Sequence, residues 1–392
     1  MASPKAKEKA VVDSAALLRT IRDKFHDSSK GDMSYIEGDA QSERFTSPKL
    51  YYSTGLELVD TILGNGGFGS GRIVEIFGPN KTGKTELAHK TLETFINTYP
   101  TGIAFYWDQE MAVDDKKKAL IPAFRSGRIS WEWAPTAERL FGKMISMCNM
   151  IAESSPDTPI LLIIDSLAAL ETMSESKAAV DKKSVMGPLA AVMSRVLKKI
   201  RPMLANTSAT LIVINQIRHK APEAGQGFGG GPDEESPGGE ALKFWADYRI
   251  KTSAAGNFFY KPPKNDDDNP GPPDGFKCRF RTLKNKLAPP LRNVVLPLAF
   301  APRFGCPSGL SDVWSVFMQF NAAKVMTARG GRYYLKDAEG KQVGEPFLRT
   351  DWPRIWMNPE TKALAQPLLD RWKDALMLRS EESIEDVEDT DE

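Results

Sequence analysis

The sequence predicts an α/β protein. It has a mostly parallel sheet with helices on both faces, a small helical element before that core and a small α+β unit after it. Three observations carry this reading. Four short apolar runs, at residues 72–77, 102–107, 160–165 and 210–216, lack the alternation of a half-exposed strand and read as strands buried on both faces. Helix-length segments at 85–99, 136–153 and 187–204 lie between them, the order that gives right-handed crossovers and a parallel sheet. A glycine-containing turn, 78–85, joins the first run to the first helix.

The N-terminal element spans 1–45. Asp13 and Ser14 can cap a helix whose apolar residues Leu17, Leu18, Ile21 and Phe25 share one face. It is too short for its own core, so it must pack on the body or on a neighbour. The core spans 46–307 and holds the four runs. After Gln216 the texture becomes loop, 218–239, where five of the seven residues 225–231 are glycine. A loop of about twenty residues inside a domain is uncommon and usually functional. Two further strand-like runs, 247–252 and 277–283, flank a hairpin tip at 265–273 rich in Asp, Asn, Pro and Gly. From 308 to 378 helical patterns and a hairpin, 332–335 with 342–343, form the small α+β unit. Residues 379–392 form an acidic tail.

Composition narrows the function classes. The 392 residues carry 52 basic and 51 acidic side chains, but eight of the acids lie in the last twelve positions, so the preceding chain carries a net +9. A basic body with an acidic tail points to a polyanionic partner and a tail that competes with it. Cys148, Cys278 and Cys306 are odd in number and far apart, which argues against a disulfide framework or a zinc-ligand cluster. No apolar run reaches the roughly 18–20 residues of a membrane span. The opening MASPKAKEKA has no apolar secretory segment, so the expected location is the cytoplasm.

The strongest motif is Gly78-Pro79-Asn80-Lys81-Thr82-Gly83-Lys84-Thr85, a match to G-x-x-x-x-G-K-[ST] between a buried strand and a helix. Backbone N–H groups of such a loop, reinforced by the helix N-terminus, cradle phosphate oxygens. Lys84 would reach the β- and γ-phosphates, and the Thr85 hydroxyl would hold Mg²⁺. Asp165 ends the most apolar strand; it suits either the Mg²⁺ shell or the N-cap of the next helix. Ser166 reads equally as a site hydrogen bonder or a cap. Glu110, just past the second strand, can orient or deprotonate water, or be a solvated loop charge. Gln216 can sense a γ-phosphate and pass its presence to the glycine-rich loop, or be a polar strand end. That loop begins with Arg218, His219 and Lys220 and carries Phe228, a set suited to a single strand with neutralised phosphates and stacked bases. Lys284 and Lys286 flank one residue and point to one side: a phosphate patch, or a charge clamp on a neighbour's nucleotide.

Together these motifs resemble the RecA family of homologous-recombination ATPases, in a divergent form such as a bacteriophage might carry. The resemblance runs through residues 53–85, the FYWDQE of 105–110, LLIIDSLAAL of 161–170, VINQIR of 213–218, GGEALKFWADYRI of 238–250, LKNKLAPP of 283–290 and the C-terminal NPETKALAQPLLDRW of 358–372. It implies a RecA-like phosphate-loop core, with ATP and Mg²⁺ held by residues 78–85 together with Glu86, Asp114, Asp165 and Ser166. Glu110 would be the water-activating base, Gln216 the allosteric switch, and Lys284 and Lys286 the clamp acting on the adjacent protomer. It implies DNA-binding loops at 173–186 and 218–238, with contacts from Arg195, Arg218, Lys220 and Phe228. It further implies a helical filament of identical subunits on single-stranded DNA, pairing with homologous double-stranded DNA, and assisted by single-strand-binding and loader proteins. Lys117 stands where the family places a tyrosine near the adenine, whereas Asp114 matches. The alternatives on the same core are a ring helicase or a mediator without turnover.

Overall fold

A computed structural model describes residues 47–113, 122–155, 157–178, 187–219, 234–235, 238–261, 271–322, 324–336 and 340–378. The four apolar runs are strands of one sheet: β1 (Ile73–Gly78), β2 (Ile103–Asp108), β4 (Ile160–Asp165) and β5 (Ala209–Gln216). The sheet also contains β3 (Ile129–Glu132), β6 (Tyr248–Phe258), β7 (Gly275–Asn285), β8 (Asn293–Ala299) and β9 (Gly309–Leu310). Its order is β9-β8-β7-β6-β1-β5-β4-β2-β3. From β6 to β3 the six strands are parallel; β7, β8 and β9 add antiparallel at the other edge.

Alternate residues of the apolar runs feed two cores, as the pleat requires. Val74, Ile76, Leu161, Ile163, Ile212 and Ile214 pack with Leu87, Leu92 and Phe95 of helix α1 (Lys84–Thr98). Ile73, Leu162, Ile164, Leu211 and Val213 pack instead with helices α2 (Ala137–Ser154) and α3 (Pro188–Ala205) and with Leu242 of α4 (Gly239–Trp245). This explains the long apolar stretches: both faces are covered, so both register positions are predominantly apolar and a polar residue such as Glu75 must find a buried partner. The first core also takes in Trp314, Phe317, Trp352 and Leu369, so the C-terminal segment shares its interior with the large sheet.

Several elements differ from the expectation. β6 runs six residues past the apolar part of 247–252, because its antiparallel ladder with β7 continues through backbone bonds to the pair Phe258↔Gly275. β3 and β8 were not anticipated. β3 is short, half-buried and at the sheet edge, and β8 carries Pro297, a residue that reads against a strand. The C-terminal hairpin is a three-stranded meander of Met326–Arg329, Arg332–Lys336 and Gln342–Phe347. Its first turn is Gly330-Gly331, both at positive φ, which joins the pair Arg329↔Arg332 as a two-residue hairpin loop. The expected N-terminal helix, residues 179–186 of the expected first DNA-binding loop, nearly all of the expected second loop, most of the hairpin tip and the acidic tail lie outside the described residues.

Candidate nucleotide site

Parallel register brings the chemistry to one end of the sheet. Gly78 lies beside Gln216 and Asp108 beside Asp165, all at the carboxyl ends of their strands. That rim is where open α/β sheets bind ligands.

The phosphate loop leaves β1 at Gly78, where a Cβ would lie 2.3 Å from the Thr252 carbonyl oxygen of the neighbouring strand, so only glycine fits. Gly83 has φ +84° immediately before α1, a left-handed conformation that glycine adopts without strain. Thr82 Oγ1 pairs with Thr252 Oγ1 at 2.6 Å and donates to, or accepts at, that hydroxyl beneath the loop. Pro79, Asn80 and Lys81 form its exposed rim. Lys84 is buried and donates to the carbonyls of Gly78 (3.0 Å) and Pro79 (2.6 Å). Burial pushes its ammonium below the usual lysine range, while Asp165 and Glu110 pull it back up. Glu86, in the first turn of α1, lies with its carboxylate against Gly309 of β9.

Asp165 is buried at the end of β4. Its Oδ2 accepts from Thr85 Oγ1 at 2.9 Å and from the Tyr106 hydroxyl at 2.7 Å. Burial pushes the Asp165 carboxyl up, and these two donors oppose the shift. A hydroxyl and a carboxylate, both hard oxygen ligands beside a phosphate loop, fit Mg²⁺. Thr85 and Asp165, the two residues expected to hold the cation, thus lie in direct contact.

Glu110 is presented by a turn that Asp108 organises, its carboxylate accepting from the backbone N–H groups of Ala112 (3.3 Å) and Val113 (3.1 Å). Glu110 Oε1 accepts from Ser166 Oγ at 2.6 Å and from Gln216 Nε2 at 2.8 Å. The expected base, the expected switch and Ser166 thus form one cluster. Behind Gln216, its backbone N–H donates to Asn215 Oδ1 (3.1 Å), and Asn215 donates to the fully buried Glu75 (3.2 Å). Arg249 of β6 closes this chain with a 2.6 Å bond to Glu75, its guanidinium 4.5 Å from the Phe77 ring.

Lys284 donates to the carbonyls of Lys243 and Phe244, both at 2.8 Å, near the end of α4. Lys286 lies 3.6 Å from Asp247 and its N–H donates to that residue's carbonyl. Both lysines reach the junction of α4 and β6, away from the Glu110 cluster. Arg195 is exposed on α3. The backbone of Arg218–His219 pairs antiparallel with Glu234–Glu235, which draws the ends of the second loop together. Asp114, Lys220 and Phe228 lie outside the described residues.

Sequence reasoning missed Tyr106, Glu75, Asn215 and Arg249. Glu75, a lone acid inside an otherwise apolar strand, was a readable sign of a buried ion pair. Nothing local marks the other three.

A family model described as the RecA N-terminal domain matches residues 27–304. Among curated proteins, the chain is 32% identical over 342 residues to Protein RecA of Leptospira biflexa, covering 85% of this chain and 79% of that one. It is 31% identical over 314 residues to Protein RecA of Thermus thermophilus, covering 79% and 84%. To Protein RecA of Chlamydia trachomatis it is 35% identical over 247 residues, covering 63% and 64%.

Proposed function

The chain belongs to the RecA family, and from that membership and the site geometry we propose how its residues serve an ATP-dependent DNA recombinase. The observation that carries the proposal is the shared bond of Gln216 and Ser166 to Glu110 Oε1, beside the Thr85–Asp165 pair. Residues 78–85 hold the triphosphate of ATP through backbone N–H groups, with Lys84 turning from its loop carbonyls to the phosphate oxygens. Thr85 and Asp165 hold Mg²⁺, which when bound neutralises charge on the β- and γ-phosphates. Asp114 contacts the adenine, and Glu86 and Ser166 complete the pocket wall. Glu110 orients and deprotonates the attacking water, and Gln216 reports the γ-phosphate to the loop that follows it.

Identical subunits form a helical filament on single-stranded DNA, with Lys284 and Lys286 reaching a neighbour's nucleotide. The loops at 173–186 and 218–238, with Arg195, Arg218, Lys220 and Phe228, hold the strand for pairing with homologous duplex. Single-strand-binding and loader proteins assist assembly. Among the described residues no helix is long and apolar enough to cross a membrane.

The test is ATP hydrolysis with and without single-stranded DNA. DNA-stimulated turnover that Lys84→Ala abolishes supports the reading. DNA binding without stimulated hydrolysis would instead favour a mediator role.

A further inference from the structure

Tyr106 belongs to no part of the site that the sequence reading named. It is fully buried in β2, between the sheet and α1. Its ring stacks on Trp131 of β3, centroids 4.1 Å apart and planes 9° apart, and the His89 imidazole of α1 packs 5.4 Å away. These contacts fix the direction of the phenol, because a ring held on its face by a parallel neighbour has little room to swing. The hydroxyl then points at one atom, Asp165 Oδ2, at 2.7 Å. The same oxygen accepts from Thr85, so two donors from separate elements, β2 and α1, meet on it.

A carboxylate at a strand end can rotate about its terminal bond. One donor restrains that rotation loosely; two donors on one oxygen, in different directions, restrain it far more. We propose that Tyr106 is a positioning residue: its hydroxyl sets the orientation of the Asp165 carboxylate that holds the divalent cation of the nucleotide. This rests on the reading of Thr85 and Asp165 as the cation-holding pair. Outer hydrogen-bond partners of metal-holding carboxylates commonly shift metal affinity by 10–100-fold. Tyr106 acts from that position without touching nucleotide, cation or water.

The experiment uses the full chain and Tyr106→Phe, which keeps the ring under Trp131 and leaves Thr85 bonded to Asp165, so the fold is retained. Mn²⁺, suited to the same oxygen ligands as Mg²⁺, is titrated with ADP present and free Mn²⁺ is read by electron paramagnetic resonance. ADP affinity in excess chelator is measured in parallel. The expected result is an Mn²⁺ dissociation constant about tenfold higher in the variant, with metal-free ADP affinity unchanged. An equal Mn²⁺ constant overturns the proposal. An equal loss of metal-free ADP affinity also overturns it, since the hydroxyl would then serve packing alone. If the wild-type chain itself takes up no nucleotide-dependent Mn²⁺, the Thr85–Asp165 reading falls with it, and that outcome is distinct from the other two.

Discussion

Gln216 donates its side-chain amide to Glu110 at 2.8 Å across 106 residues of sequence, tying the end of β5 to the turn that follows β2. Whatever displaces one of these side chains must disturb the other. Under the roles proposed above, a γ-phosphate that drew the Gln216 amide away would release Glu110 at the same moment, so sensing and water activation would share one hydrogen bond.

The first consequence concerns Glu110→Gln. The substituted amide keeps an oxygen for Ser166 and loses the base. ATP hydrolysis should fall by roughly 10²–10⁴-fold while single-stranded DNA binding in ATP persists. A steady-state ATPase assay beside a fluorescence-anisotropy titration checks both; retained turnover would make Glu110 a loop charge.

Gln216→Glu places a second carboxylate within hydrogen-bond reach of the first. Like charges at that distance raise the apparent pKa of the pair. A base must be deprotonated to act, so the acid limb of kcat against pH should move to higher pH in this variant. A limb that stays in place would mean that the two side chains are apart during turnover.

A third prediction concerns the seam between the C-terminal segment and the core. Asp312 accepts from the N–H groups of Glu57 and Leu58, at the start of the helix Glu57–Leu63, and Lys373 pairs with Glu57 there. Burial holds the Asp312 carboxyl up at about 7, from an ordinary 3.8, and Asp60 nearby up at about 6. The folded chain therefore binds these protons more tightly than the unfolded chain, and stability falls as pH rises toward about 7. Asp312→Asn retains an acceptor without the charge. Its Tm relative to wild type should climb between pH 5 and 8, by roughly 1–2 °C for each kcal/mol relieved in a chain of this size. A pH-independent difference in thermal melts would show that Asp312 does not titrate in this range.

Deleting residues 381–392 removes eight acids from an otherwise basic chain. Affinity for duplex DNA should rise at low salt and the gain should shrink as salt increases, since both effects run through phosphate neutralisation. Unchanged duplex affinity at low salt would remove the tail from any shielding role.

The sequence by itself determined the phosphate loop, the four central strands, and the two carboxylates and one amide at their ends. These are legible because their causes are local. A glycine spacing sets the loop backbone, and apolar runs mark strands covered on both faces. β3 escaped because it is a short, half-exposed edge strand, and β8 because Pro297 interrupts its apolar run and reads against a strand. Tertiary structure alone decided which side chains meet. Tyr106 reaches Asp165, and Asn215 reaches Glu75, only through the register of parallel neighbours; Arg249 joins them from β6, more than thirty residues after β5. A one-residue slip in any of those pairings would turn the side chain to the opposite face. Such contacts depend on the packing of the whole sheet, and no local stretch of sequence encodes them.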